Sequence, residues 1–147
     1  MMRTRRGVIS ALLATVVLLA GCASLGGGAD SKDPAVREKA LRERVQARWD
    51  AMLALDMKKV YEFATPAYRQ QYDLRHLQNQ YAAQIERTRI EIYQVRFDPD
   101  LPGTAKVVVL LHYRTEGGAP GTMIESYSRI VETWIAQDGQ WWYVEPR

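Results

Sequence analysis

The sequence is poor in the side chains that build disulfides and metal sites. Its 147 residues include one cysteine and two histidines. An intramolecular disulfide is therefore excluded, and a zinc site, which needs several converging ligands, is not expected. The sequence also lacks a serine nucleophile elbow, a glycine-rich phosphate loop and a pair of carboxylates at helical spacing. We expect neither a metal nor another cofactor.

An excess of one charge is also missing from most of the chain. The formal net charge is +3, and Arg3, Arg5 and Arg6 supply all of it, because residues 1–21 contain no acidic side chain. Residues 22–147 carry 17 basic and 17 acidic residues. Without a basic stripe interleaved with aromatic residues, nucleic-acid binding is disfavoured.

Residues 1–21 have the three-part pattern of a secretory signal peptide. The arginines precede an apolar run from Val8 to Leu19, and the small residues Ala20 and Gly21 follow. The run is shorter than the roughly 20 apolar residues that a membrane-spanning helix needs. We therefore expect this segment to direct export rather than to anchor the protein.

Leu19-Ala20-Gly21-Cys22 resembles the lipobox of bacterial lipoproteins. The resemblance implies cleavage before Cys22, diacylglycerol on its thiol and attachment to a membrane through that lipid. Ala23 and Ser24 follow in place of an aspartate, which by the same resemblance implies the outer membrane, facing the periplasm. The alternative is an ordinary secretory signal with a chance cysteine.

Residues 22–32 are small, polar and rich in glycine, so we expect a flexible tether carrying the lipidated Cys22. Residues 33–147 are long enough for one domain with a modest core.

Helical patterns fill the first half of this domain. Asp33-Pro34 predicts a capped start for a helix from Ala35 to Leu55. The apolar stripe of this helix consists of Leu41, Val45, Trp49, Met52 and Leu53. Asp56 predicts the cap of a short helix that ends before Thr65-Pro66. One or two further helices are expected between Ala67 and Gln84, with Asp73 as a cap.

From Thr88 onward, β-branched and aromatic residues predict an antiparallel meander. The expected strands are 88–98, 104–116, 122–137 and 140–145. Asp138-Gly139 is the strongest hairpin signal, because both positions tolerate positive φ. Helices followed by an antiparallel sheet predict an α+β fold.

The order of elements resembles the NTF2-like (SnoaL-like) superfamily. The resemblance is carried by 47–52 in the first helix, 56–63 in the second and the closing hairpin 132–142. It implies a cystatin-like cone, with N-terminal helices packed on a curved antiparallel sheet over residues 33–147. The superfamily includes enzymes, small-molecule binders and assembly subunits, so the resemblance does not choose a function.

The resemblance implies that acid–base residues lie inside the cone, and His112, Glu125 and Asp98 are the candidates. His112 and Glu125 lie on consecutive predicted strands and could face each other as a catalytic pair if the register permits. A solvent-facing cross-strand pair is the simpler interpretation of His112 and Glu125. The candidate ligand-binding residues are Tyr68, Tyr93, Tyr113 and Tyr127, and ordinary packing is the alternative for these tyrosines. His76 is expected to be a plain helix residue.

Three functional hypotheses follow. The first is a membrane-anchored, non-enzymatic binding or assembly module that acts through a small-molecule pocket or an envelope-protein partner. The second is a periplasmic enzyme that uses the cone and the pair His112/Glu125. The third is a structural subunit of an envelope complex.

Residues 106–113 are apolar on both faces of the predicted strand. Val107, Val109 and Leu111 point one way, while Val108 and Leu110 point the other. One layer of helices covers one face, so we expect a homodimer that packs sheet on sheet. A sheet that covers its second face locally is the alternative.

Overall fold

The computed structural model describes residues 28–81 and 85–146, and within these ranges the chain is an α+β domain. Its elements, in chain order, are α1 Pro34–Leu53, α2 Met57–Tyr61, α3 Pro66–Gln71, α4 Leu74–Gln80, β1 Glu86–Phe97, β2 Thr104–Glu116, β3 Met123–Gln137 and β4 Gln140–Tyr143. The strands form one antiparallel sheet in the order β1-β2-β3-β4. The predicted meander is confirmed.

Each helix begins at a side chain that accepts a hydrogen bond from its first turn. Asp33, Asp56, Thr65 and Asp73 accept from the backbone N–H groups of Ala35, Lys59, Tyr68 and His76, respectively. These bonds satisfy donors that have no partner within the helix. The predicted caps at Asp33, Asp56 and Asp73 are confirmed.

The closing hairpin follows its sequence signal. Asp138 and Gly139 have φ of 54° and 74°, which a two-residue turn of type I′ requires. Beyond the hairpin, the Tyr143 N–H donates to the Phe63 carbonyl at 2.9 Å, and the Thr65 N–H donates to the Tyr143 carbonyl at 3.2 Å. The link between α2 and α3 therefore covers the outer edge of β4.

The core lies between α1 and one face of the sheet. Leu41, Val45 and Met52 of α1 are fully buried, and they share a cluster with Val107, Val109 and Trp134 of the sheet. Val108 and Leu110 point to the opposite face, called here the outer face. Val108 is nevertheless buried, whereas Val131, which pairs with it on β3, is 59% exposed.

The predicted cone is wrong for a physical reason. An interior site requires open space between helix and sheet, and in this domain large side chains fill that space. Trp134, Trp141 and Arg48 are the largest of the fully buried side chains. In the described residues, the space between α1 and the sheet is occupied by a cluster of buried side chains.

Part of the expected tether is packed against the domain. Ala29 is buried in the core, and its N–H donates to the Gly139 carbonyl at 3.4 Å. Gly28 has φ of 121°, and a side chain there would meet the Ala40 methyl group at 3.2 Å. The lipobox, and Cys22 with it, lies outside the described residues. None of the helices in the described ranges has the length and hydropathy needed to span a membrane.

The two faces of β2 predict opposite responses to a charge. We expect Val109→Glu to unfold the full chain, because Val109 is inaccessible and an unpaired buried carboxylate is costly. Leu110→Glu should stay folded, since Leu110 is only half-buried on the outer face. Circular dichroism during thermal unfolding measures this contrast.

The same Leu110→Glu variant tests the expected homodimer. Light scattering should find a dimer for the unmodified chain and a monomer for the variant. A monomer for both at high micromolar concentration would contradict packing through the outer face.

Candidate functional site

The structure does not join His112 and Glu125 as a pair. His112 lies opposite Tyr127 in the register, and Glu125 lies opposite Arg114. The imidazole Nε2 of His112 is 3.1 Å from Glu91 Oε1 instead. Hydrogen bonding from Arg89, together with the charges of Arg89 and His112, lowers the pKa of Glu91. Glu125 is exposed. Both residues line a depression on the surface of the sheet, not the interior of a cone.

The other candidates are scattered. Tyr93 sits at a register irregularity of β1 and is 68% exposed, and Tyr127 is similarly exposed on the outer face. The Tyr113 hydroxyl is 3.4 Å from the Ser128 hydroxyl. Asp98 accepts hydrogen bonds from two backbone N–H groups of its own turn, those of Asp100 and Leu101. Of the four tyrosines, Tyr68 alone lies in the region described below.

A buried arginine is the most unusual feature of the domain. Arg48 of α1 is 1% exposed. Its Nη1 donates to Glu132 Oε1 at 3.1 Å, its Nη2 donates to the Tyr81 hydroxyl at 2.9 Å, and Nη2 lies 3.7 Å from Glu145 Oε1. The guanidinium carbon stands 3.6 Å from the centre of the Tyr143 ring. We call Arg48, Glu132, Glu145, Tyr81 and Tyr143 the buried network.

Glu132 is the well-satisfied carboxylate of this network. Besides Arg48, the indole N–H groups of Trp49 and Trp134 donate to its two oxygens, each at 2.9 Å. Burial raises the pKa of Glu132, and Arg48 and the two indoles partly offset that effect. Burial alone would lower the pKa of Arg48, but Glu132 and the other nearby groups raise it above its ordinary value. This half of the network is a closed ion pair.

Glu145 is less well satisfied. The Tyr81 hydroxyl donates to its Oε2 at 2.8 Å. Its Oε1 is buried and accepts no hydrogen bond from any residue that the structure describes. Burial raises the pKa of Glu145, while Arg48 and Tyr81 act in the opposite direction.

A cleft of about 360 Å³ adjoins this carboxylate. It lies between α3, α4 and the C-terminal segment 144–146. Its lining residues are Thr65, Ala67, Tyr68, Gln71, Tyr72, His76, Gln80, Val144, Glu145 and Pro146. We call it the α3–α4 cleft, and it is the candidate binding site.

Three aromatic rings form one wall of the α3–α4 cleft. The Tyr68 and Tyr72 ring centres are 4.9 Å apart, and the His76 ring stacks on Tyr72 at 4.4 Å. The Tyr68 hydroxyl donates to Gln80 Oε1 at 3.0 Å. Burial and the charge of Glu145 raise the pKa of Tyr68 to about 12. The wall offers ring faces, a hydroxyl and amide groups to a ligand.

Sequence reasoning missed the buried network and most of the cleft, although a signal was present. Arg48 follows Val45 by three residues and precedes Met52 by four, which places it on the apolar stripe of α1. Glu132 lies between Ile130 and Trp134 in strand alternation, so it points inward. Opposite charges at core positions of two elements indicate a buried ion pair. No comparable pattern marks Tyr72, His76 and Glu145 as neighbours.

Comparison with known proteins identifies fold relatives but no family. No protein family and no curated protein matches the chain. A SEC-C motif containing protein of Rhodopseudomonas palustris is similar, with 14% identity and a TM-score of 0.53, over 70% of this chain and 73% of that protein. A SEC-C motif containing protein of Psychrobacter arcticus has 13% identity and a TM-score of 0.53, over 72% of this chain and 59% of that protein.

These similarities correct two assignments. Both of these structures are of SEC-C motif containing proteins and not of NTF2-like proteins, so the prediction of an NTF2-like (SnoaL-like) domain is wrong. They also give no support to the identification as an outer-membrane lipoprotein, whose defining residues lie in 1–27, outside the described ranges. At such low identity the comparison extends to the fold and not to activity.

The buried network predicts a large effect of removing its cation. Arg48→Met should lower the free energy of unfolding by about 3–5 kcal/mol, because it leaves two buried carboxylates without their counter-charge. Lys39→Met on the same helix is the matched control, since Lys39 and Glu43 form an exposed pair at 3.9 Å. The control should change by less than about 1 kcal/mol. Urea unfolding measures both, and equal effects would contradict a structural role for Arg48.

The raised pKa of Glu145 predicts a pH dependence of stability. A raised carboxyl pKa means that the folded protein holds its proton to higher pH than the unfolded chain. The contribution of Glu145 is therefore full below its unfolded pKa, about 4.3, and is lost as pH rises through the folded pKa. The unfolding free energy relative to Glu145→Gln should fall as the pH rises above about 4.3. Arg48, Glu132, Tyr81, Tyr143 and Tyr68 surround Glu145 in both proteins, so a constant difference would contradict the shift.

Proposed function

We propose that this domain is a non-enzymatic binding module whose ligand site is the α3–α4 cleft. The observation that carries the proposal is the wall of three adjacent rings, Tyr68, Tyr72 and His76, beside a buried carboxyl group. Binding pockets combine apolar and aromatic walls with a few polar groups that orient the ligand. The cleft has this composition, and its volume suits a small molecule or one or two side chains of a partner protein.

The environment of the cleft favours binding over catalysis. Proton transfer near neutral pH needs a group whose pKa lies near the working pH. The Tyr68 hydroxyl, with a pKa of about 12, is far from that range. Glu145 is held by Tyr81 and Arg48, and its side chain is sealed from solvent. His76 is exposed and stacked on Tyr72, and no carboxylate in the described ranges orients it.

The rigidity of the cleft also supports a binding role. Tyr81 and Glu145 tie the end of α4 and the C-terminal segment to Arg48 in the core. The Tyr61 hydroxyl donates to the carbonyls of Arg69 and Tyr72, at 3.1 and 2.7 Å, which joins α2 to α3. A site held in this way loses little entropy when a ligand enters.

The cellular setting stays a prediction from the sequence. Attachment to a membrane through lipid on Cys22, exposure to the periplasm and an envelope-protein partner were expected from residues 1–32. The enzyme alternative with His112 and Glu125 would place the site on the sheet instead.

A fragment titration followed by nuclear magnetic resonance tests the proposed site. Small amphipathic aromatic compounds added to the full chain should shift the amide signals of Tyr68, Tyr72, His76 and Gln80. Tyr72→Ala should abolish these shifts. Tyr93→Ala, which removes an exposed ring from β1, is the matched control and should leave them unchanged. Shifts centred on His112 and Glu125 would move the site to the sheet and overturn the proposal.

A further inference from the structure

The charges beside the α3–α4 cleft do not cancel. Arg48 contributes one positive charge to the buried network, while Glu132 and Glu145 are two carboxyl groups. Glu132 takes the closer contact with Arg48 and two indole N–H donors. Glu145 is left with one hydroxyl donor and a guanidinium nitrogen at 3.7 Å. With both carboxyl groups ionised, the network has one negative charge in excess, and that charge resides on Glu145.

The excess charge belongs to the wall of the cleft. Glu145 is among the lining residues, and its charge contributes to the raised pKa of Tyr68, after burial as the larger cause. No lysine or arginine of residues 28–81 and 85–146 lines the cleft. Arg69, which follows Tyr68 in α3, stands over Trp142 at 5.2 Å, and Arg75, which precedes His76 in α4, is exposed. Glu145 is the one carboxylate among the lining residues.

The aromatic wall adds to the effect of this carboxylate. The face of an aromatic ring carries partial negative charge and attracts cations, most strongly where water is excluded. Tyr72 lies at the centre of the wall, with Tyr68 on one side and the stacked His76 on the other. The ring faces and the buried carboxyl group thus both favour a cationic ligand.

The ligand groups of the cleft do not suit a metal ion. Divalent cations take several oxygen ligands that converge on one point. The lining residues include a single carboxylate, and no group of three His, Cys, Asp or Glu residues in the described ranges converges. An organic cation with a delocalised or shielded charge binds instead to ring faces with a carboxylate nearby. The cleft provides both.

We propose that the α3–α4 cleft is selective for organic ammonium groups, which rest against the rings of Tyr68 and Tyr72 and are balanced by the carboxylate of Glu145. This inference rests on the proposed binding function and names the chemical class of its ligand. The ligand carries an alkylated or primary ammonium at one end, of a size that fits about 360 Å³.

A pair of isosteric probes tests the ligand class. Choline and 3,3-dimethyl-1-butanol have the same shape, but only choline is charged. Titrated into the full chain at neutral pH and followed by the signals of Tyr68, Tyr72 and His76, choline should bind at least about tenfold more tightly. Glu145→Gln keeps the shape and removes the carboxylate, so it should reduce that preference to less than about threefold.

A second variant protects the test against unfolding. Tyr72→Leu keeps an apolar wall and removes the central ring face, and it should weaken choline binding with little effect on the neutral alcohol. Thermal unfolding of each variant shows whether it is folded. Equal affinity for choline and the alcohol would overturn the ammonium inference and leave the binding function standing. No binding of either probe, together with no response to the amphipathic aromatic fragments, would overturn both.

Discussion

The need to satisfy one buried guanidinium organises this domain. Arg48 lies inside the core, where an uncompensated charge would be far too costly to keep. Its partners come from the end of α4, from β3 and from the segment after β4. These elements are distant in the sequence, and the arginine fixes their relative positions. Glu145 ties the C-terminal segment to this network, and the Val144 N–H donates to the Thr133 carbonyl at 2.9 Å. This segment forms one side of the α3–α4 cleft.

The sequence predicted the elements well and the interior poorly. Caps such as Asp33 and Asp73 and the turn at Asp138-Gly139 act locally, so a short stretch of sequence contains all the information that they need. The alternation in 106–113 also gave the two faces of β2 correctly. Whether an interior is open or filled depends on how side chains from distant elements meet. Trp134 of β3 and Arg48 of α1 fill the interior together. Neither the strand pattern nor the helix pattern alone predicts this.

The candidate site illustrates the same division. His112 and Glu125 were singled out because their residue types can transfer protons, yet register placed His112 beside Glu91 and left Glu125 exposed. Tyr68 was among the candidates because of its residue type. Tyr72 lies one helical turn after Tyr68, and His76 lies in the next helix. Glu145 is near the C-terminal end of the chain. Only the tertiary fold brings these groups together, and proteins that share the fold at 13–14% identity need not share the site.

The two margins of the sheet differ in a way that bears on aggregation. At β4, the backbone of Phe63–Thr65 already occupies the hydrogen-bonding groups of Tyr143, so a foreign strand cannot add there. At β1, two register shifts interrupt the ladder, and charged side chains such as Arg87, Arg89 and Arg96 punctuate the strand. Irregular, charged margins resist pairing with other extended chains. Both margins of the sheet therefore oppose the joining of sheets into fibres.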